Sequence, residues 1–257
     1  MGLLRCNSPE EEPVGMADML GLDLSSLERE RLKKTLDSIP YDIRTGLEIG
    51  FHDFRITNLL RSKMDLVSID LPKKVTQPSS YKLTFADLQY LPFRDNAFDM
   101  AICTEVLEHL PENVLLKGIR ELQRVSRRYV LVSVPYKQRV WNEMFKCANC
   151  SFVYNRMGHL HYMDDQKLAI LFEGAVPEKT ELAGRINGYA PDWLYSIANT
   201  RGNAWSDFIF GNCPNCEKSN KAVTPNALGY VLQRLIWRAE RLAKSRPAWV
   251  ITLFKLG

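Results

Sequence analysis

Short apolar segments of strand length alternate with helix-like segments between Thr45 and Phe254, and this alternation constrains the fold more than any other feature. Strands are predicted over 45–50, 65–70, 81–85, 98–103, 129–134, 179–182 and 249–254. The segment 129–134 is apolar almost throughout, which is typical of a strand buried on both faces of a parallel sheet. The pattern therefore predicts an α/β protein with a doubly wound, Rossmann-like sheet.

Helices are predicted between these strands. Ser25 and Ser26 can cap a helix that runs to about Ser38, and further helices are expected over 54–61, 111–125, 165–173 and 228–243. The last of these carries an apolar stripe of Leu228, Leu232, Leu235 and Leu242 beside a basic stripe of Arg234, Arg238, Arg241 and Lys244. We expect it to pack on the sheet with a solvated charged face, while binding of a phosphate or partner by that face is the less favoured alternative.

The chain divides into four predicted segments. Residues 1–40 form an arm and a helix, 41–184 a core domain, 185–247 an insertion that interrupts the strand–helix rhythm, and 248–257 the final core strand. A chain of 257 residues that is 46% hydrophobic and 25% charged can bury a core without disulfides.

Charge and hydropathy limit the classes of partner that the chain is expected to bind. The net charge of +4 is too small to indicate nucleic-acid binding, and no apolar run approaches a membrane span. The first residues lack a signal-peptide core, and Cys6 stands where N-myristoylation needs Ser or Thr. We expect a cytoplasmic protein that makes no membrane contact, with a protein partner at the basic C-terminal helix as an open alternative.

Four of the six cysteines form two Cys-x-x-Cys pairs, Cys147/Cys150 and Cys213/Cys216. This spacing lets two thiolates reach one tetrahedral ion from a tight turn, although 62 residues separate Cys150 from Cys213. Disulfides or unrelated thiols are the alternatives, and the lack of a secretory signal favours a zinc ion. Cys103 lies in an apolar run and is expected in the core.

Polar residues follow the predicted strands at their carboxyl ends, which is where open α/β sheets bind ligands. Glu48-Ile-Gly50 ends the first strand, Asp70 ends the second 20 residues after Gly50, and Asp87-Leu88 follows the third. The run Thr104-Glu-Val-Leu-Glu-His-Leu110 follows the fourth. An acidic residue at the end of the second strand is placed to meet ribose hydroxyls.

In these segments the sequence resembles the class I S-adenosylmethionine-dependent methyltransferases, over residues 45–174 and again over 250–255. The segments 87–98 and 105–110 are most similar to the small-molecule branch that includes ubiquinone-pathway and sugar methyltransferases, and 158–163 with 173–175 are similar to one subgroup of it. The resemblance implies a seven-stranded sheet with an antiparallel last strand. It also implies a cofactor site built from Glu48, Gly50, His52, Asp70, Leu71, Asp87, Leu88 and Thr104.

Within that site the resemblance assigns Asp70 to the ribose hydroxyls, Asp87 to the adenine amine, the Leu88 backbone to a ring nitrogen and Thr104 to the methionine part. The first loop departs from the family pattern, because His52 and Phe54 replace its second and third glycines. The short stretch between Asp70 and Tyr81, with two prolines, predicts that the usual helix there is missing.

Methyl transfer requires the acceptor in line with the donor methyl group, and an oxygen acceptor also needs a base to take its proton. His109 is the first candidate for this base; His52, Tyr136, His159 and His161 are others. A local structural role for His109 is equally compatible with the sequence. Glu105, Glu108 and His109 also resemble the metal-binding Glu-x-x-Glu-His of the enzymes that 2′-O-methylate small-RNA 3′ ends, in which a further histidine, here His159 or His161, completes the site.

The leading functional hypothesis is therefore O-methylation of a small molecule, such as a sugar or secondary metabolite, with S-adenosylmethionine as donor. The family topology sends both cysteine pairs to the carboxyl edge of the sheet, which predicts a structural zinc ion that pins a lid over the acceptor pocket. RNA 2′-O-methylation and a non-catalytic, zinc-binding scaffold with a methyltransferase fold are the alternatives.

Overall fold

The computed structural model describes residues 25–51, 54–71, 82–206 and 212–257. Seven strands form one sheet: β1 (Thr45–Ile49), β2 (Asp65–Asp70), β3 (Lys82–Phe85), β4 (Phe98–Thr104), β5 (Ser126–Pro135), β8 (Val176–Ile186) and β9 (Arg246–Lys255). Their spatial order is β3-β2-β1-β4-β5-β9-β8. A separate hairpin consists of β6 (Met144–Lys146) and β7 (Val153–Asn155).

Strands β1 to β5 pair in parallel, while β9 is antiparallel to β5 and to β8. Strand β8 therefore runs in the direction of β1–β5, and the last strand of the chain is the antiparallel one. This confirms the predicted seven-stranded Rossmann-like sheet. The carboxyl ends of β1, β2, β3, β4 and β5 consequently meet at one edge, where the polar segments of the sequence lie.

Six α-helices connect or flank the strands in the described part of the chain: α1 (Ser26–Asp37), α2 (Arg55–Arg61), α3 (Glu112–Val125), α4 (Asp165–Leu171), α5 (Asp192–Gly202) and α6 (Ala227–Leu242). Two short 3-10 helices cover Leu107–His109 and Val140–Asn142. Helix α1 begins with a capping box, because the Ser25 hydroxyl accepts from the Glu28 N–H and the Glu28 carboxylate accepts from the Ser25 N–H. Helix α5 and the β6–β7 hairpin were not predicted.

The core fills both faces of the sheet. Helix α3 buries Leu115, Ile119, Leu122 and Val125 against one face, as its spacing predicts, and Cys103 of β4 is fully buried there. Helices α1 and α2 cover the opposite face with side chains such as Leu32 and Leu60. Burial of each such side chain contributes roughly 1.5–3 kcal/mol.

Helices α5 and α6 pack on each other through glycines. A Cβ on Gly229 would lie 2.1 Å from the Gly202 carbonyl oxygen, so only glycine allows this approach. The prediction that the leucine stripe of α6 packs on the sheet is wrong. Leu232 is buried in the α5–α6 cluster, whereas Leu228, Leu235 and Leu242 are 46%, 44% and 88% exposed, because the packed face of α6 is the adjacent one.

Asp99, at the start of β4, ties this strand to β1. Its carboxylate accepts from the backbone N–H groups of Arg44 and Thr45 at 2.9 and 3.0 Å and from the Arg127 guanidinium. Burial raises the pKa of Asp99, but the backbone hydrogen bonds and Arg127 outweigh it and hold this pKa at about 2.

Replacing this carboxylate, by Asp99→Asn, is expected to lower the free energy of unfolding by about 2 kcal/mol at pH 7. Because folding lowers the pKa, the stabilisation is present at neutral pH and is lost as the pH falls from about 4 towards 2. Urea unfolding at pH 7 and pH 3 checks this, with exposed Asp95→Asn as the control. A difference from wild type that is the same at both pH values would contradict it.

Candidate functional site

The first loop begins at Gly50, directly after β1. Gly50 has a positive φ of 83°, and its N–H donates to the Ile69 carbonyl at 2.8 Å. A Cβ at this position would lie 2.6 Å from Cγ2 of Val106, in the segment after β4. Both the backbone conformation and the close approach therefore require glycine.

An alanine at Gly50 is expected to destabilise the fold by about 2–3 kcal/mol, since it adds steric overlap to backbone strain. Gly174 separates the two effects: it has a similar φ of 86°, but no atom lies within 4 Å of its would-be Cβ. We expect Gly174→Ala to cost about 1 kcal/mol. Thermal unfolding of both variants checks this, and equal losses would exclude the contact with Val106.

Two phenylalanines pack against each other in the altered first loop. Phe54, at the family's third glycine, adopts the left-handed conformation that glycine favours, with φ of 60°. Its ring stacks on Phe51 at a centroid distance of 5.4 Å, and Phe51 is only 1% exposed. The loop thus retains a glycine-like backbone at Phe54. His52 lies outside the described residues.

Glu48 is a buried residue of β1 whose carboxylate is fully engaged. It accepts from the hydroxyl of Thr57 at 2.9 Å and from that of Ser68 at 2.6 Å, and the residue is 1% exposed. These bonds join β1 to α2 and to β2. Glu48 therefore fixes the frame of the first loop.

The predicted adenosine-binding residues follow the neighbouring strands β2 and β3. Asp70 pairs in register with Phe85, and its carbonyl accepts from the Ala86 N–H at 3.0 Å, so Asp70 and Asp87 share one edge. The Asp70 carboxylate accepts from the N–H of Leu71, which is 59% exposed. Asp87 is exposed and accepts from the Gln89 N–H at 2.9 Å.

Leu88 and Thr104 stand on the inner side of this edge. Leu88 is buried and packs so closely on α3 that a Cβ on Gly118 would approach it to 2.8 Å. Thr104 ends β4 and is 8% exposed. Next to it, Glu105 accepts from the Trp249 indole N–H at 2.7 Å, and burial raises its pKa.

A cluster of Glu108, His109 and His159 lies beyond the end of β4. One ligand atom of each lies within 4.8 Å of the others, and the two imidazole rings meet edge to face at 4.7 Å. Glu108 is 1% exposed, and neither carboxylate oxygen has a hydrogen-bond partner within the described ranges. Burial, and then the charge of Glu105, raise the pKa of Glu108 well above its usual value. Such a carboxyl is either protonated or bound to a cation.

The hydrogen bonds around His159 fix its tautomer. Gln138 donates its amide N–H to the Glu143 carboxylate at 3.0 Å, so its carbonyl oxygen faces Nδ1 of His159. His159 therefore carries its proton on Nδ1, and its unprotonated Nε2 keeps a free lone pair. Burial, followed by the charges of His109 and Arg156, lowers the pKa of His159 to about 4. Burial also lowers the pKa of His109, which is solvent-exposed at one side.

Two other predicted bases that the structure describes, Tyr136 and His161, are engaged elsewhere. The Tyr136 hydroxyl donates to Asp165 at 2.6 Å. His161 contacts the Leu110 carbonyl through Nε2 at 2.6 Å and lies 3.5 Å from Glu112 through Nδ1. Of the three histidines that the structure describes, His109 is exposed, His159 is buried and His161 is half-buried.

The two Cys-x-x-Cys pairs come together despite their separation in sequence. The Cys147 and Cys216 sulfurs are 3.9 Å apart, those of Cys150 and Cys213 are 3.7 Å apart, and all four lie within 4.8 Å. Four thiolates at about 2.3 Å from one tetrahedral ion would be separated by about 3.8 Å. The free sulfurs thus stand at the spacing of a tetrathiolate metal site, and the alternative of disulfides is not realised.

Both pairs have the same backbone turn. The Cys147 carbonyl accepts from the Ser151 N–H and the Cys213 carbonyl from the Glu217 N–H, each at 2.8 Å. Ser151 and Glu217 have positive φ values of 61° and 58°. A hydrogen bond from the Phe152 N–H is the main cause that lowers the pKa of Cys150, to about 6. This amide favours the thiolate form of Cys150 that a metal needs. At Cys216 the Lys218 N–H lowers the pKa, but burial and the neighbouring thiols outweigh it and raise this pKa to about 11.

The β6–β7 hairpin, whose turn carries Cys147 and Cys150, is joined at its base to the cluster of Glu108, His109 and His159. The Asn155 side chain, at the end of β7, accepts from the His159 N–H at 3.2 Å and donates to the Val140 carbonyl at 2.8 Å. Arg156 pairs with Glu143 at 3.2 Å. Sequence reasoning missed Gln138, Glu143 and Asn155, because single polar residues outside any motif carry no signal of their contacts.

A cleft of about 280 Å³ opens between this hairpin, α5 and α6. Glu143 and Arg156 line one side, and Trp205 and Trp237 provide aromatic surface; amides from Asn142, Asn199 and Gln233 complete the wall. Because Glu143 also holds Gln138, the cleft and the histidine cluster share one hydrogen-bond chain.

Comparison with known proteins agrees with this geometry. Residues 47–134 match the family model described as a methyltransferase domain. An uncharacterised protein from Methanocaldococcus jannaschii is 33% identical over 60 residues, or 23% of this chain, which spans only 27% of that relative.

Among solved structures, an S-adenosylmethionine-dependent methyltransferase from Archaeoglobus fulgidus is similar with a TM-score of 0.54 and 14% identity, covering 94% of this chain and 95% of that one. One from Methanosarcina mazei gives a TM-score of 0.50 and 12% identity, covering 91% and 99%. These likenesses concern the fold.

Proposed function

We propose that this chain, which carries a class I S-adenosylmethionine-dependent methyltransferase domain, methylates a hydroxyl oxygen of a small molecule such as a sugar or secondary metabolite. The observation that carries the proposal is the juxtaposition of the Gly50 turn, Asp70 and Asp87 at the carboxyl ends of adjacent strands. The family match over residues 47–134 supports the same cofactor.

The residues at this edge suit an adenosine-containing cofactor. The Gly50 turn brings the end of β1 against Val106, where any side chain would overlap, and the carboxylates of Asp70 and Asp87 stand at the ends of β2 and β3. In the proposed site Asp70 accepts from the ribose hydroxyls and Asp87 from the adenine amine, with the Leu88 backbone at a ring nitrogen. Leu71 flanks the nucleoside and Thr104 the methionine part. Bound S-adenosylmethionine supplies an electrophilic methyl group.

His109 is proposed as the proton acceptor of the methylated hydroxyl. Its lowered pKa keeps the imidazole neutral near pH 7, which is the form that can take a proton. His159 packs against it and is held in one tautomer by Gln138. The aromatic and amide lining of the cleft suits a polyhydroxylated acceptor, which supports the small-molecule substrate class.

The four cysteines are proposed to hold a structural zinc ion. Their spacing fits four thiolate ligands, which leaves no open position for catalysis. Through Asn155 the hairpin sets the turn that carries His159. The metal would therefore act on the reaction by positioning, as part of a lid near the acceptor pocket.

Calorimetric titration of the full chain with S-adenosylhomocysteine tests the enzymatic proposal. We expect one site with micromolar affinity, which is unchanged by sodium chloride because few charges are neutralised. Absence of binding at millimolar concentration would contradict it and would favour the non-catalytic scaffold.

A second candidate is metal-assisted methylation of a ribose diol, as in RNA 2′-O-methylation. The observation that favours it is the carboxylate of Glu108, which has no hydrogen-bond partner in the described part of the chain and lies beside His159 and the ring of His109. A divalent ion held there would orient a diol and acidify its hydroxyl. Glu105 is less suited as a further ligand because Trp249 and Ser133 donate to its carboxylate.

Manganese binding, measured by electron paramagnetic resonance, distinguishes metal-assisted methylation from methylation with His109 as a simple base. The metal-assisted mechanism predicts one Mn²⁺ site that is lost in Glu108→Gln and retained in Glu112→Gln, an exposed carboxylate near His161. No bound Mn²⁺ in the wild type, together with methyl transfer that resists EDTA, would leave His109 as a simple base.

A further inference from the structure

Helix α6 leaves an aliphatic stripe uncovered. Leu228, Val231, Leu235 and Leu242 recur at intervals of three, four and seven residues, which places them along one side of the helix. They are 46%, 55%, 44% and 88% exposed, while the neighbouring side, with Gly229 and Leu232, packs on α5. Isolated exposed apolar side chains are ordinary, but three leucines and a valine along one side of a single helix form an apolar stripe.

A row of cations runs beside this stripe. Arg234, Arg238 and Arg241 are exposed and follow one another at intervals of four and three, and Lys244 lies just past the helix. None of the ion pairs among the described residues includes any of these four side chains. The single acid of the helix, Glu240, accepts from the Tyr195 hydroxyl and so faces α5.

We propose that α6 docks parallel to the surface of an anionic lipid bilayer. The leucines and Val231 would enter the boundary between headgroups and acyl chains, and the three arginines would meet lipid phosphates. This proposal goes beyond methyl transfer and does not depend on it. The expectation of no membrane contact rested on the lack of a spanning segment. The described helices include none that could cross a membrane, and docking needs none.

The pairing of the two stripes favours a bilayer over other partners. Nucleic acid would use the arginines but would leave Leu242 in water. A second copy that covered the leucines would bring together two rows of cations that make no ion pair among the described residues, within a Debye length of each other. An anionic bilayer offers charge complementarity and an apolar phase at the same surface.

Flotation of the full chain with vesicles tests the proposal. We expect co-flotation with phosphatidylcholine vesicles that contain phosphatidylglycerol, at least tenfold weaker flotation with pure phosphatidylcholine, and weakening by salt. Two surface variants separate the contributions, Leu235→Ser/Leu242→Ser and Arg234→Gln/Arg238→Gln. Each should lose at least tenfold in partitioning. Lys117→Gln/Arg120→Gln on α3 removes the same charge elsewhere and should bind as wild type.

Absence of flotation with anionic vesicles would overturn the proposal. Loss in the arginine variant but not in the leucine variant would also overturn it, and would indicate a purely electrostatic partner such as nucleic acid or an acidic protein. Because S-adenosylhomocysteine titration is a separate measurement, failure of membrane docking leaves the proposed enzymatic function standing.

Discussion

Cys213→Ser is expected to abolish the binding of one equivalent of zinc and to lower the free energy of unfolding by at least about 3 kcal/mol. The physical reason is the confinement of four sulfurs within 4.8 Å, two of them in buried residues, where only a cation balances the thiolates. For a chain of this length we expect the Tm to fall by roughly 6–12 °C. Zinc analysis by mass spectrometry and thermal unfolding measure the two effects.

The matched control is Cys103→Ala, since Cys103 is buried in the sheet and belongs to no cysteine pair. This variant should keep a full equivalent of zinc, whatever its loss of packing. If the wild type carries no zinc and the two variants melt alike, the tetrathiolate site is excluded. Since Asn155 joins the hairpin to His159, we also expect Cys213→Ser to reduce methyl transfer more than cofactor affinity.

His109→Asn is expected to reduce the rate of methyl transfer by roughly 10²–10⁴-fold, the usual contribution of a general base. Affinity for S-adenosylhomocysteine should change less than threefold, because His109 belongs to the cluster with Glu108 and His159 and not to the strand ends that hold the nucleoside. The rate is measured with tritiated S-adenosylmethionine on the first hydroxyl acceptor that the wild type methylates in a panel of glycosides and phenols.

His161→Asn serves as the comparison for that variant. Its ring is held by the Leu110 carbonyl and Glu112, so its replacement should affect stability more than rate. A rate for His109→Asn within a few-fold of the wild type would remove His109 from the chemistry. In that case a local structural role for this histidine would be the better interpretation.

Much of the fold follows from local pattern. The strand over 65–70 was predicted to the residue and the strand over 98–103 to within one residue, because each contains a short run of apolar side chains bounded by polar ones. Helix α3 was predicted from its buried spacing. The antiparallel last strand needed the family resemblance, since strand direction is decided by connections and not by local sequence.

Other features depend on contacts between distant segments. The burial of α6 could not be predicted, because its sequence offers two plausible apolar stripes and the Gly202–Gly229 contact selects one. Helix α5 was missed because its apolar positions lack a clear periodicity. The Gln138–His159 bond likewise joins segments 21 residues apart and has no local signature. The cysteine site was predictable because thiolate chemistry itself restricts the spacing.

Affinity for S-adenosylhomocysteine in Asp70→Ala and Asp87→Ala tests the central claim most directly. Each variant removes a carboxylate at the end of a strand, and charged hydrogen bonds contribute about 1.5–3 kcal/mol, so we predict affinity losses of roughly 10- to 100-fold. Asp65→Ala, at the opposite end of the same strand as Asp70 and 61% exposed at its side chain, should bind as wild type. Wild-type affinity in both Asp70→Ala and Asp87→Ala would contradict the assignment of this edge to the cofactor.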